Sequence, residues 1–352
     1  TAVLVIEAVK AIQQRIDVML TRWSFSFRAI RCRWVGEPAN VEHEQEYEYE
    51  YGDGDGDGRG QRYHRHGAWG AGKCVAGCLL LVTFLGCVRG VSVGDAAEPT
   101  RIDEFVFPLH AQHNHAPGIV ECPGGDLLVS WYRGSGERRA DDVAVWGARK
   151  KKGASEWSQP FLMADTPGFP DCNTCMMVDK QGQLWLFWPV VIANSWESCL
   201  THFRVARGCL AEHGGTPKWS ANGVILLKPD DFSGEAEEEL GKMIQQAPAE
   251  LLRPYRQELD QLRERLKHPL FQRLGWQPRC KPTVLPSGRI LLPLYSDTFS
   301  ISIMAISDDD GQSWYASKPL LGFGNIQPAV LRRDDGTLVA YMRENGPSGR
   351  VR

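Results

Sequence analysis

Short apolar runs recur along the C-terminal two thirds of the chain, each launched by a glycine. Gly125-Asp126-Leu127, Gly182-Gln183-Leu184, Gly288-Arg289-Ile290 and Gly336-Thr337-Leu338 lead into LLVSW, LWLFW, ILLPL and LVAYM. An apolar, β-branched or aromatic run after a glycine turn predicts a strand. The four glycines stand about 57, 106 and 48 residues apart, and recurrence near 50 is the period of a propeller blade. Trp157-Ser158, Trp219-Ser220 and Trp314 close further strands at a similar interval. The pattern predicts an all-β fold of consecutive four-stranded antiparallel blades over residues 103–352.

One long interval breaks the repeat. Between about Ser233 and His268, Leu240, Met243, Ile244, Ala247, Leu251, Leu252, Tyr255, Leu259, Leu262 and Leu266 fall near helical spacing, with a charged opposite face. Pro248 and Pro254 divide the stretch into at least two helices. This is a helical insertion lying across the propeller.

The N-terminal third has a different texture. Residues 44–60 alternate Glu-Tyr and then Asp-Gly, a low-complexity run with no core to bury. Residues 1–70 are therefore expected to lack structure. Residues 71–97 hold an apolar run from Cys74 to Val88, preceded by Arg62, Arg65 and Lys73 and followed by Ala96-Ala97. A basic flank, a short apolar stretch and a small-residue site are the layout of a secretory signal. Leu85-Gly86-Cys87 has the flavour of a lipoprotein box. The expectation is export to the cell envelope or beyond, with membrane anchorage through this segment, and a true start near residue 70.

Net charge and cysteine content narrow the partners. A formal charge of −3 across 352 residues leaves no polyanion footprint, so nucleic acid is not an expected partner. Cys172-Asn173-Thr174-Cys175 lacks a second pair at zinc spacing, so no metal is expected, and no cofactor motif occurs. With Cys122, Cys199, Cys209 and Cys280, an exported chain could form one or two disulfides. Twelve Trp suit both packing and sugar stacking.

The sharpest motif is Ser307-Asp308-Asp309-Asp310-Gly311-Gln312-Ser313-Trp314, read S-x-D-x-G-x-S-W. A carboxylate at Asp309 can accept the turn's own N–H groups, and Gly311 supplies a positive φ. The motif resembles the Asp-box of the sialidase (BNR repeat) superfamily. The resemblance extends from about His110 to Arg352 and implies a six-bladed β-propeller, of which this chain would hold about four blades. In that family an R-I-P motif opens the first blade, followed by a strand-end Arg and a loop bearing the catalytic acid. Here His113-Asn114-His115-Ala116-Pro117 stands first, with His115 in the arginine's place. Arg133 matches the strand-end Arg, and the loop from Gly134 offers Glu137, Asp141 and Asp142. Gln327 occupies a later glutamate position, and Arg343 matches a carboxylate-binding Arg. The family's third Arg and its Tyr nucleophile would come later than Arg352.

These departures resemble a divergent sialidase-like branch. Guanidinium forks bind carboxylates bidentately, and an imidazole at position 115 does not replace one. Gln327 cannot serve as the base that activates a Tyr nucleophile. The catalytic candidates are Glu137, Asp141 and Asp142, with Glu137 as first choice for proton donor. The substrate-binding candidates are His113, His115, Arg133, Lys281, Asp297, Gln327 and Arg343. The resemblance implies an exported exo-α-sialidase-type glycoside hydrolase that takes a terminal, acidic sugar from a glycan. Two alternatives stand beside it: a glycosidase or lyase acting on uronic-acid glycans with His and Tyr as acid and base, and a propeller that binds carbohydrate without catalysis.

Overall fold

A computed structural model of the chain describes residues 31–35, 101–211, 215–320 and 323–344. The chain divides into two compact units, one of Arg33–Asp103 and the other of the remaining residues. Strands β1 (Arg31–Val35) and β2 (Arg101–Phe105) pair with each other, which is what is described of the smaller unit. Arg31–Val35 is the described part of residues 1–70. Its sequence, RCRWV, alternates polar and apolar residues and ends in β-formers. The rest of 1–70, and the signal-like segment 71–97, lie outside the described residues.

From residue 113 onward the larger unit is built by repetition. Strands β3 (His113–Glu121), β4 (Leu127–Gly134), β5 (Ala144–Lys150) and β6 (Phe161–Ala164) form one antiparallel sheet in chain order. Strands β7 (Cys175–Val178), β8 (Leu184–Val191), β9 (Cys199–Ala211) and β10 (Pro217–Val224) form the second. In the third, β11 (Trp276–Pro278) and β12 (Thr283–Val284) pair in tandem with β13 (Ile290–Ser296), followed by β14 (Ile301–Ser307) and β15 (Tyr315–Ala316). A hairpin of β16 (Asn325–Arg332) and β17 (Leu338–Glu344) comes last. These sheets are thus two four-stranded meanders, one of five strands in which β11 and β12 share the first place, and a two-stranded hairpin.

The glycine pattern marks one turn made four times. In each sheet it joins the first pair of strands, and the same two backbone bonds close it: Cys122 to Asp126 and Gly125 to Cys122, Asp179 to Gln183 and Gly182 to Asp179, Leu285 to Arg289 and Gly288 to Leu285, Arg333 to Thr337 and Gly336 to Arg333. Gly125, Gly182, Gly288 and Gly336 all have positive φ, from 74° to 98°. A side chain would be strained at each.

The second strand of each full sheet lies between neighbours in the sheet and is buried along almost its whole length. Strand β8 shows the logic. Leu184, Leu186, Trp188 and Val190 pack toward the first sheet with Leu128, Val145 and Met163. Trp185 and Phe187 pack the other way, with Ile290, Leu292, Ile301 and Ile303 of the third sheet. Period-2 alternation therefore feeds two cores from one apolar run.

The Asp-box docks the third sheet on the second. Asp309 accepts from the Ser313 backbone N–H at 2.9 Å and from the Ser307 hydroxyl at 2.9 Å. Trp314 sets its ring edge-on to Phe187, with centroids 6.0 Å apart. Gly311, at φ 82°, lies so close to the Trp185 ring that a Cβ there would overlap it.

The insertion is helical, as its periodicity predicts. Helices α1 (Phe232–Gln246), α2 (Ala249–Leu252), α3 (Arg256–Lys267) and α4 (Pro269–Arg273) join the second sheet to the third. Pro248 caps α2 and Pro254 sits in a 3₁₀ turn before α3. Phe232, Ala236, Leu240, Leu259, Leu262 and Leu266 bury one face in the core shared by the second and third sheets. Among the described residues no helix is long and apolar enough to cross a membrane.

Candidate functional site

The starts of the first strands and the ends of the second strands meet at the end of the sheets opposite the glycine turns. Two of these first strands are bulged there. The register slips between His115 and Gly118 in β3 and between Ile326 and Ala329 in β16. Ala116 and Gln327, each followed by proline, both have φ 56°. Positive φ at a non-glycine residue is uncommon, and such strain collects at functional sites.

Alternation along β3 and β4 sorts the candidate residues onto two faces. Asn114 is buried, and its Oδ1 accepts from Trp131 Nε1 at 3.0 Å and from Arg133 Nε at 2.7 Å. The Arg133 guanidinium lies over Phe107, Trp131 and Trp146, between 4.8 and 5.4 Å from their centroids. Burial lowers its pKa. The expectation that Arg133 binds substrate therefore meets a different geometry: it stacks among aromatic rings on the face turned away from the histidines. The residue that β4 presents to the histidines is its predecessor, Tyr132.

Tyr132 is fully buried. Its Oη donates to Glu137 Oε1 at 2.7 Å, and His113 Nε2 stands 3.4 Å from the same phenol oxygen. The His113 and His115 rings lie 5.6 and 5.7 Å from the tyrosine ring. Burial, then the Glu137 charge, push the phenol's pKa well up. Burial, then the charges of Arg279, His113 and Arg343, hold His115 down to about 3. His113 is also lowered by burial, against the opposing pull of Glu137. Both imidazoles are neutral at neutral pH.

The three carboxylates of the loop after β4 have different work. Glu137 turns inward with 29% of its side chain exposed, and Arg138 bridges its second oxygen at 3.0 Å. Arg138 in turn lies over Trp196, 5.2 Å from the ring centroid. Asp142 accepts from the Ser135 backbone N–H at 3.0 Å and from its hydroxyl at 2.8 Å. Asp141 accepts from Asn194 Nδ2 at 2.8 Å. These last two are exposed and hold the loop in place. Both were catalytic candidates from the sequence, and neither joins the cluster at Tyr132.

A second polar cluster ties the later sheets together. Asn173 Nδ2 donates to Gln277 Oε1 at 2.7 Å and to Tyr295 Oη at 3.2 Å. Gln277 Nε2 donates to Asp297 at 3.0 Å, and Gln327 Nε2 to Tyr295 Oη at 3.4 Å. Asn173, Gln277 and Tyr295 are buried, and burial raises the Tyr295 phenol. Half-exposed Arg279 joins the two clusters electrostatically, since its charge acts on His115, Tyr132 and Tyr295. Arg343 is exposed and also acts on His115. Lys281 is exposed.

His113, His115 and Glu137 therefore gather around Tyr132, and Asp297 and Gln327 belong to the Tyr295 network. Tyr132 and Gln277 are the additions that motif matching passes over. The signal for Tyr132 was the period of two, which sets it opposite its neighbour Arg133. Among the described residues no three His, Cys, Asp or Glu side chains gather as a metal-binding set. Two arginines, two neutral imidazoles and a tyrosine–carboxylate pair can hold an anionic ligand and move a proton beside it.

Residues 261–352 match the family model described as a BNR repeat-like domain. A comparison with curated proteins found no match. Among solved structures, a protein of unknown function from Dyadobacter fermentans is similar at 14% identity with a TM-score of 0.48, over 68% of this chain and 64% of that one. A Trypanosoma rangeli sialidase is similar at 13% identity and a TM-score of 0.44, over 67% of this chain and 35% of that one. The NanB sialidase of Streptococcus pneumoniae is similar at 10% identity and a TM-score of 0.46, over 68% of this chain and 49% of that one. The chain thus spans 64%, 35% and 49% of the lengths of these three.

Proposed function

We propose that the chain, whose residues 261–352 match a BNR repeat-like domain model, is the sialidase-like part of a six-bladed propeller that acts on glycans. On this reading the three full sheets and the hairpin are successive blades. The reaction is glycoside hydrolysis of exo-α-sialidase type, removing a terminal acidic sugar. The protein works outside the cytoplasm, reached through the signal-like segment, with a membrane anchor as one route of retention.

The observation that carries the reading is the 2.7 Å bond from Tyr132 Oη to Glu137 Oε1, with His113 3.4 Å from the phenol. The sialidase nucleophile is a tyrosine, and Tyr132 is not that group; what the bond supplies is a fixed carboxylate at the site. Tyr132 is too buried to reach a sugar itself, so it positions Glu137. As both Glu137 oxygens accept hydrogen bonds, the geometry favours Glu137 as a base over the proton-donor role that the loop alignment suggests. Arg279 and Arg343 take the substrate carboxylate, the task the sequence assigned to Arg133 and Arg343.

A second reading draws support from the neutral His113 and His115 beside Tyr132. Such bases suit proton abstraction next to the carboxylate of a uronic acid, which is a lyase reaction. Full-length protein incubated with sialylated glycans and with uronic-acid polysaccharides separates the two. Released free acidic sugar supports the hydrolase; an unsaturated, ultraviolet-absorbing product supports the lyase. Binding with no product from either panel would leave a carbohydrate-binding propeller.

A further inference from the structure

We propose that Cys122 and Cys209 are a redox-responsive thiol pair that closes to a disulfide and ties the first sheet to the second. The two thiols pack in one apolar cluster and perturb each other's ionisation. Cys122 lies in the first glycine turn, at the end of the sheet away from Tyr132, and Cys209 is on β9. Both belong to the apolar cluster shared by these two sheets. Arg149 Nη1 reaches Cys122 Sγ at 3.8 Å, and its guanidinium is anchored on Asp126 at 3.4 Å.

Cys122 differs from Cys172, Cys175 and Cys199 in the direction of its shift. Burial pushes the Cys172, Cys175 and Cys199 thiols well up, which keeps them protonated and inert. Cys122 is pulled down, first by the neighbouring Cys209 thiol and then by the Arg149 charge, while the same pairing pushes Cys209 up. Removing one proton leaves a thiolate that the remaining S–H stabilises. Cys209 is half-exposed, which opens the pair to a small oxidant.

The oxidant is a small-molecule disulfide. One protein sulfur, as thiolate, attacks it, forming a mixed disulfide and expelling one reagent thiolate. The second protein sulfur loses its proton, attacks the first and expels the other thiolate. Two protein thiols are oxidised, one reagent disulfide is reduced to two thiols, and the two protons released protonate them. The bridge would close the chain from residue 122 to residue 209. Such a long loop gives a large loss of unfolded-state entropy.

The native full-length protein is treated with oxidised glutathione, blocked with N-ethylmaleimide without reduction, and digested for mass spectrometry. The expected result is a cross-linked peptide joining Cys122 to Cys209, with Cys172, Cys175 and Cys199 recovered as thiols. Cys122→Ser and Cys209→Ser should each trap glutathione on the remaining partner. Oxidation should raise Tm by several degrees in the wild type and not in the double Ser variant. Full alkylation of both thiols after treatment, or a cross-link joining either to another cysteine, overturns the proposal. An oxidised wild type with unchanged Tm overturns the tie between sheets.

Discussion

Glu137, Asp141 and Asp142 are chemically alike and lie within six positions of one another, yet only Glu137 faces the histidines. Glu137→Gln is expected to lower kcat by roughly 10²–10⁴-fold while the fold is kept, as removal of a proton-transfer group does. Unchanged turnover would take Glu137 out of the mechanism. Arg343→Lys should raise KM, because an ammonium does not reproduce a guanidinium fork. Arg133→Lys should instead lower Tm and leave KM alone, since that guanidinium stacks among three rings. A raised KM in the Arg133 variant would return it to the substrate. His113, His115 and Glu137 could be singled out in the sequence because local motifs carry them. Arg133 was read from a family position, which names a residue and not the face of its strand. Gln277 was not legible, as its partners Asn173 and Asp297 are distant in the chain and only the packing of sheets brings them together.

At the level of the element, the punctuation proved more informative than the apolar runs it bounds. Apolar runs alone leave the pairing of strands open, whereas a positive-φ glycine at a fixed place fixes where a hairpin reverses. The four Gly-x-Leu/Ile signals all fall at the same turn, and the Asp-box falls at a turn between β14 and β15. The helices of the insertion were equally legible, through heptad-like spacing and two prolines. That their apolar face enters the core between the second and third sheets was not, because a period shows which face is apolar and not what it meets. Gly311 combines both demands, a positive φ and contact with Trp185. Gly311→Ala is expected to destabilise the protein by roughly 2–4 kcal/mol through strain and overpacking. A urea titration checks this, and a loss under about 0.5 kcal/mol would mean that the turn relaxes freely.

For the whole molecule, stability should carry two opposite pH signatures. His115 falls from 6.5 unfolded to about 3 folded, so the native state refuses a proton that the unfolded state binds. Its contribution is complete above pH 6.5 and is lost as pH falls toward 3. Asp171 rises, chiefly through burial, from 3.8 to about 6, so the native state loses stability as pH rises through that window. Unfolding free energies measured against pH should show the wild-type advantage over His115→Gln shrinking as pH drops from 6.5. The advantage over Asp171→Asn should grow as pH drops from 6. A pH-independent difference in either pair would refute the corresponding burial argument.

The glycine turns occupy one rim of the sheets, while Tyr132, Glu137, Tyr295 and Gln327 occupy the other. Heritable change is thereby partitioned in space. Substitutions at the turn rim are filtered by folding, because each turn repeats one backbone solution that tolerates few residues. Loops at the opposite rim are free to lengthen, shorten or exchange side chains without disturbing that solution. A lineage carrying this scaffold can therefore explore new substrates by editing one rim, and a laboratory library confined to residues 135–140 and 192–198, none of them buried, would sample chemistry at little risk to the fold.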